Sequence, residues 1–171
     1  MVRCFIAIYP IKSEKIYKLQ QEIGKLIEGK EVEKENMHIT LSFLGEINDK
    51  EVEKIKKKLK EIAEVTYKRN IILGKIKFIP SENFFRVIAI DIIGLDDIVE
   101  LIKKEIGGDV KPPHLTLFRV KRVKDKSSLL EASKKEIREE IFVERICLVK
   151  STLTPKGPIY EIIESFELRS H

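Results

Sequence analysis

The sequence predicts an α+β fold of two pseudo-symmetric lobes, each an antiparallel-rich sheet with helices on its outer face, flanking a central cleft. Three observations predict it. Stretches with strand-like apolar patterning interleave with stretches of helical spacing along the whole chain. The run Phe5-Ile6-Ala7-Ile8, a helical stretch, then His38-Ile39-Thr40-Leu41 recurs as Val87-Ile88-Ala89-Ile90, a helical stretch, then His114-Leu115-Thr116-Leu117. The four-residue run precedes its histidine by 33 residues in the first copy and 27 in the second, a duplication too divergent for a solenoid repeat. Finally, 171 residues with 43% hydrophobic content suit one domain with a real core. Residues 1–171 therefore read as a single domain, with lobes built around 3–44 and 85–120. Two like units related by an approximate two-fold axis place equivalent strands on opposite walls of one cleft.

In chain order, residues 3–9 form a buried strand closed by Pro10. Ser13 caps a helix carrying Ile16, Leu19, Ile23, Leu26 and Ile27, with Gly29 as its stop. Residues 37–44 form a second strand ended by Gly45. Asn48 with Glu51 resembles a capping box for a helix to about residue 64, whose stripe is Val52, Ile55, Leu59 and Ile62. The basic run 54–58 is then that helix's solvated face. Residues 67–79 read as one long or bent strand with a bulge at Gly74, followed by a turn at 80–83 and a strand at 84–92. Asp96 or Asp97 opens a helix bearing Ile98, Leu101, Ile102 and Ile106, ended by Gly107-Gly108. A strand at 114–120, a charged helix over roughly 127–139 and strands near 141–149 and 158–168 complete the chain.

Charged residues make up 36% of the chain, mostly Lys and Glu, a bias of the kind met in hyperthermophile proteins. The net charge of +5 suits acidic or nucleic-acid partners without selecting among them. No apolar run approaches a membrane span, and the first residues lack the pattern of a secretory signal. Cys4 and Cys147 sit in apolar strand-like runs as reduced core residues, and no Cys/His spacing suggests a metal site. The expectation is a monomeric cytoplasmic protein without membrane contact, cofactor or metal.

The chain has three histidines, and both interior ones fall in His-apolar-Thr-Leu. Chance produces that on the order of once in ten thousand sequences of ordinary composition. His171 has no neighbours that suggest a role and reads as a frayed terminus. Alternation along a strand puts His38 beside Thr40, and His114 beside Thr116, on the face opposite the apolar anchors. Two imidazoles and two hydroxyls facing each other suit acid–base chemistry on a phosphodiester. One imidazole takes a proton from the attacking oxygen and one imidazolium gives a proton to the leaving oxygen. The hydroxyls donate to the non-bridging oxygens, where charge builds.

The paired His-x-Thr motifs resemble those of the 2H phosphoesterase superfamily, and within it the RNA 2′,3′-cyclic phosphodiesterases, also called 2′-5′ RNA ligases. The resemblance runs through Arg3–Ile8, Glu35–Gly45, Phe85–Val87, Pro113–Arg119 and Ser151–Tyr160, nearly the whole chain. It implies His38 as proton donor, His114 as proton acceptor, and Thr40, Thr116 and Arg119 as phosphate-binding residues. Phe43 matches an aromatic position suited to base stacking. The implied substrate is an RNA with a 2′,3′-cyclic phosphate end, a tRNA-derived RNA among the candidates. The implied reaction is metal-independent opening to a 2′-phosphate, with 2′-5′ ligation as its reverse. Strict alternation disagrees at two positions: Phe43 and Arg119 each lie five residues beyond their histidine and so fall on the opposite face, unless a twist or bulge intervenes. The segment Asp109-Val110-Lys111-Pro112-Pro113 also departs from the Arg-x-Phe-x-Pro of many relatives, leaving Lys111 as a partial substitute for the arginine. Two other readings stay open: an RNA-end-binding module with little catalysis, and a phosphodiesterase acting on small cyclic-phosphate metabolites.

Overall fold

Residues 1–171 are described by a computed structural model. The element order is β1 (Val2–Ile8), α1 (Glu14–Gly24), β2 (Ile27–Glu31), a 3₁₀ turn (Lys34–Asn36), β3 (Ile39–Ile47), α2 (Asp49–Val65), β4 (Arg69–Pro80), β5 (Phe85–Ile93), α3 (Asp96–Glu105), β6 (His114–Val123), α4 (Lys126–Ser133), β7 (Glu139–Val143), β8 (Arg145–Thr154) and β9 (Gly157–Glu167). The strands form one sheet in the order β7-β4-β5-β6-β3-β1-β8-β9, with β2 also on β6. The lobes are the two halves of this path. They meet where β3 and β6 pair at a single position, Ile39 with Leu115. Beyond that pair the strands diverge. β2 fills the gap beside β6, and Asp109 bridges to Phe43 beside β3.

Side chains cap α1, α2 and α4 at their N-termini, whereas α3 starts after Leu95 without a side-chain cap. The Ser13 and Asn48 side chains accept from the amides of Ile16 and Glu51, and Asp125 does the same for Ser128. Their apolar stripes (Ile16 and Ile23, Leu59 and Ile62, Ile98 and Ile102) join Ile39, Leu41, Leu115 and Leu117 in one core. The basic run of α2 is solvated or locally paired, with Lys56 bridging Glu53 and Glu164. Cys4 and Cys147 are buried and unbridged. No helix is long and apolar enough to cross a membrane.

Four expectations about local structure are corrected. Helix α1 stops at Gly24, and Ile27, read as helical, opens strand β2. The helical stripe misled there because β2 exists only by pairing with β6. Gly29 is then needed for close approach, since a Cβ would collide with the Arg119 carbonyl. The charged helix ends at Ser133 rather than near 139. The strand expected over 141–149 is two strands with different partners, β7 on β4 and β8 on β1. His171 is not frayed. Its ring stacks on Tyr67 at 4.4 Å, and Arg169 exchanges backbone hydrogen bonds with Thr66 and Lys68.

Ile39 and Leu115, both fully buried, are the joint between lobes. Ile39→Ala is expected to cost about 2–5 kcal/mol of stability, read from the midpoint of denaturant unfolding. Ile39→Val should cost only about 0.5–1.5 kcal/mol.

Candidate active site

The two histidine strands share one irregularity at the same place. Ala7 pairs with Thr40 and Ile8 with Ile39. Correspondingly, Ala89 pairs with Thr116 and Ile90 with Leu115. One residue on, both ladders skip: Ile6 pairs with Ser42 and Ile88 with Phe118, leaving Leu41 and Leu117 as the extra residues of two equivalent β-bulges. The single β3–β6 pair joins Ile39 to Leu115, the same residue of each copy. An approximate two-fold axis through that pair exchanges the strands. In antiparallel register His38 then lies opposite Thr116, and Thr40 opposite His114. The imidazoles occupy one diagonal and the hydroxyls the other. All four line one cleft of about 260 Å³, together with Phe43 and Arg119.

The bulges overturn the alternation expected for Phe43 and Arg119. An extra residue reverses the parity of everything after it, so both side chains swing onto the histidine face. On β6 the consecutive buried residues Leu117 and Phe118 mark the reversal. Phe43 is 44% exposed and lines the cleft instead of packing in the core. Phe43 and Arg119 are symmetry counterparts, so the duplicated frame carries an aromatic ring on one wall and a guanidinium on the other.

Each ring is aimed by the backbone two residues upstream. His38 Nδ1 donates to the Asn36 carbonyl at 2.7 Å, and His114 Nδ1 to the Pro112 carbonyl at 2.9 Å. A carbonyl has no proton to give, so Nδ1 carries the hydrogen on both rings and Nε2 is the atom free to exchange one. The surroundings then break the symmetry. The His38 ring packs against Phe5 at 5.0 Å and edge-on against Tyr160 at 5.2 Å, with Tyr9 at 6.5 Å. This burial pushes its pKa below the ordinary 6.5. The hydrogen bond to Asn36 opposes the shift, while the charges of His114 and Arg119 add to it. An anion entering the cleft offsets those charges and favours protonated His38. The Thr40 and Thr116 hydroxyls remain available for a ligand, unlike that of Thr66, which is committed to the Ile62 carbonyl.

The cleft wall also contains residues outside the two His-x-Thr motifs. Lys30 on β2 donates to the Lys156 carbonyl at 3.0 Å, and the Asn36 amide donates to the Pro158 carbonyl at 3.1 Å. Together they pin the β8–β9 turn beside the site, where Tyr160 joins the wall. Burial raises the Tyr160 pKa, which keeps its phenol protonated. Glu31 and Glu33 also line the cleft. No periodicity pointed to Lys30 or Tyr160, because β2 and β9 lie outside the duplicated strands. Lys111 pairs with Asp109 at 3.4 Å and is not part of the cleft wall.

Comparison with known proteins agrees with this frame. The family described as LigT like Phosphoesterase matches residues 8–88 and 94–160. A Methanocaldococcus jannaschii protein named RNA 2′,3′-cyclic phosphodiesterase is 37% identical, over 96% of this chain and 100% of its own. One of the same name from Aquifex aeolicus is 31% identical, over 98% of each chain. Among solved structures, a Thermus thermophilus protein superposes with a TM-score of 0.83 at 23% identity, covering 98% of both chains. E. coli LigT complexed with 3′-AMP superposes at 0.72 and 18% identity, over 98% of this chain and 97% of that one. With a family match that spans both histidine strands and full-length relatives above 30% identity, the chain belongs to the LigT-like phosphoesterase family.

Proposed function

We propose that this chain opens the 2′,3′-cyclic phosphate at the 3′ end of an RNA and leaves a 2′-phosphate. The observation that carries the reading is the pair of Nε2-presenting histidines on one diagonal of a cleft, with a threonine hydroxyl beside each. The activity named for the relatives supports it. Water attacks phosphorus while His114 Nε2 takes its proton. The P–O3′ bond breaks, and His38 Nε2 gives its proton to the departing O3′. The bound phosphate stabilises the protonated form of His38, and the low intrinsic basicity of this ring makes it a ready donor. Thr40 and Thr116 donate to the two non-bridging oxygens, Arg119 adds positive charge, and Phe43 stacks on the terminal base.

Both proton transfers are served by imidazoles, so the reading includes a metal-independent reaction. It also includes ligation, in which an RNA 5′-hydroxyl replaces water as the nucleophile: the 5′-O–P bond forms, the P–O3′ bond breaks with a proton to O3′, and a 2′-5′ bond results. We read residues 1–171 as one monomeric, cytoplasmic catalytic unit without cofactor, and a tRNA-derived end as one RNA that it would accept.

The test is turnover of an RNA oligonucleotide bearing a 2′,3′-cyclic phosphate, in the presence of a chelator. The expected result is a 2′-phosphate product, an undiminished rate with the chelator and a bell-shaped pH–rate profile. A 3′-phosphate product would reverse the leaving group, and loss of rate in the chelator would end the metal-free mechanism. Binding of the oligonucleotide with no turnover would favour the RNA-binding module.

A further inference from the structure

A second depression opens directly off the cleft. Arg119 and Lys30 line both, and from them a groove of about 690 Å³ runs over β2, β6 and the turn between β4 and β5. Strand pairing builds it. Lys30 is the register partner of Arg119 on one side and Val87 is its partner on the other, which brings Arg86 alongside. Lys121 follows Arg119 by two residues on β6, where the pairing with β2 skips a residue, and lines the same groove. None of these four cations pairs with a carboxylate. The one acid in the groove, Glu28, is held by Arg122 at 3.0 Å. At the far end Phe84 is 60% exposed, with the Arg86 guanidinium 5.5 Å from its ring centre. An aromatic ring this open has no packing role to explain it.

We infer that this groove carries the RNA strand on the 5′ side of the cyclic phosphate, with Arg86 and Lys121 meeting backbone phosphates and Phe84 stacking on an upstream base. The inference rests on the proposed function and adds a substrate class to it: an oligonucleotide in preference to a mononucleotide. The chemistry of the end sets the direction. A phosphate closed onto the terminal ribose has no chain beyond it, so a bound RNA leaves the cleft only by its 5′ side. Another depression adjoining the site, around Phe5, Phe43, Leu153 and Tyr160, adds only Arg3 to the shared Arg119. Its apolar walls suit a nucleoside. A row of uncompensated cations ending on an open aromatic ring is what a single strand requires, with phosphates tracked by charge and bases stacked without sequence selection.

The experiment compares a five-nucleotide single-stranded RNA ending in 2′,3′-cyclic phosphate with 2′,3′-cyclic AMP, using Phe84→Ala and the double variant Arg86→Ala/Lys121→Ala. On the oligonucleotide, each is expected to raise KM about tenfold at low salt with kcat unchanged. The double variant should also flatten the dependence of log affinity on log salt by about 0.7 for each phosphate that is no longer neutralised. On 2′,3′-cyclic AMP both should keep kcat/KM within about twofold of the parent, which also shows that they fold. Equal losses on both substrates, or no loss on the oligonucleotide, would overturn the groove assignment. Fluorescence anisotropy of the same oligonucleotide carrying a 2′-phosphate gives a readout independent of turnover. If the parent protein hydrolyses neither substrate, the hydrolase reading falls and the anisotropy alone decides the groove. A polyglutamate peptide that displaces the oligonucleotide at equal concentration would overturn RNA as its occupant.

Discussion

His38→Ala and His114→Ala are each expected to lower kcat for cyclic-phosphate opening by about 10²–10⁴-fold. The double variant should lose little more than the worse single one, because the two rings act in a single step. The distances behind this are short: each Nδ1 is fixed to a carbonyl two residues upstream, at 2.7 and 2.9 Å, so that Nε2 alone faces the cleft. A substrate with a p-nitrophenolate leaving group separates the roles, since that group departs without a proton. His38→Ala should recover much of its rate on such a diester and His114→Ala should not; the opposite pattern would exchange the assignments. If both single variants keep near-parental turnover of a 2′,3′-cyclic nucleotide, the mechanism is wrong.

The same substitution carries a pH signature in stability. Burial holds the His38 pKa below 6.5 in the folded protein, whereas the unfolded chain titrates near the ordinary value. Between those two values the unfolded state binds more protons, so stability increases with pH. The contribution is complete above about 6.5 and is lost as pH falls from there through the lowered folded value. Thermal melts across this window should show a shallower acid-side decline in His38→Ala than in the parent. An unchanged slope would place the ring in a more solvated setting than its contacts with Phe5 and Tyr160 describe.

Thr40→Val and Thr116→Val form the second large effect, about 10²–10³-fold each in kcat, the scale of one lost donor to an oxygen that gains charge. Valine has nearly the shape of threonine and suits a strand, so KM and unfolding midpoints should move far less than kcat. Thr→Ser keeps the hydroxyl and is expected to retain activity within about tenfold. The approximate two-fold axis through Ile39 and Leu115 makes the two positions equivalent, and their losses should therefore be similar. Serine variants as damaged as the valine variants would mean that the methyl packing matters and the hydroxyl does not.

The sequence by itself determined which residues share a face over short spans. His38 with Thr40, and His114 with Thr116, follow from the two-residue period of a strand, and the stripes of α2 and α3 from the helical period. The duplication was legible as well, because Phe5–Ile8 and Val87–Ile90 pair with the two histidine strands in the same register. What only the tertiary structure decided is how those local rules are broken. The bulges at Leu41 and Leu117 depend on which strand lies alongside and in what register, and they carry Phe43 and Arg119 across to the catalytic face. Strand β2 exists through its pairing with β6, far along the chain, and it brings Lys30 to the cleft. The residues over 139–154 split into two strands because β4 and β1 each claim one part. Periodicity records the conformation that each residue takes from its near neighbours; a bulge, an edge pairing or a shared wall is settled by distant partners, which leave no mark at that spacing.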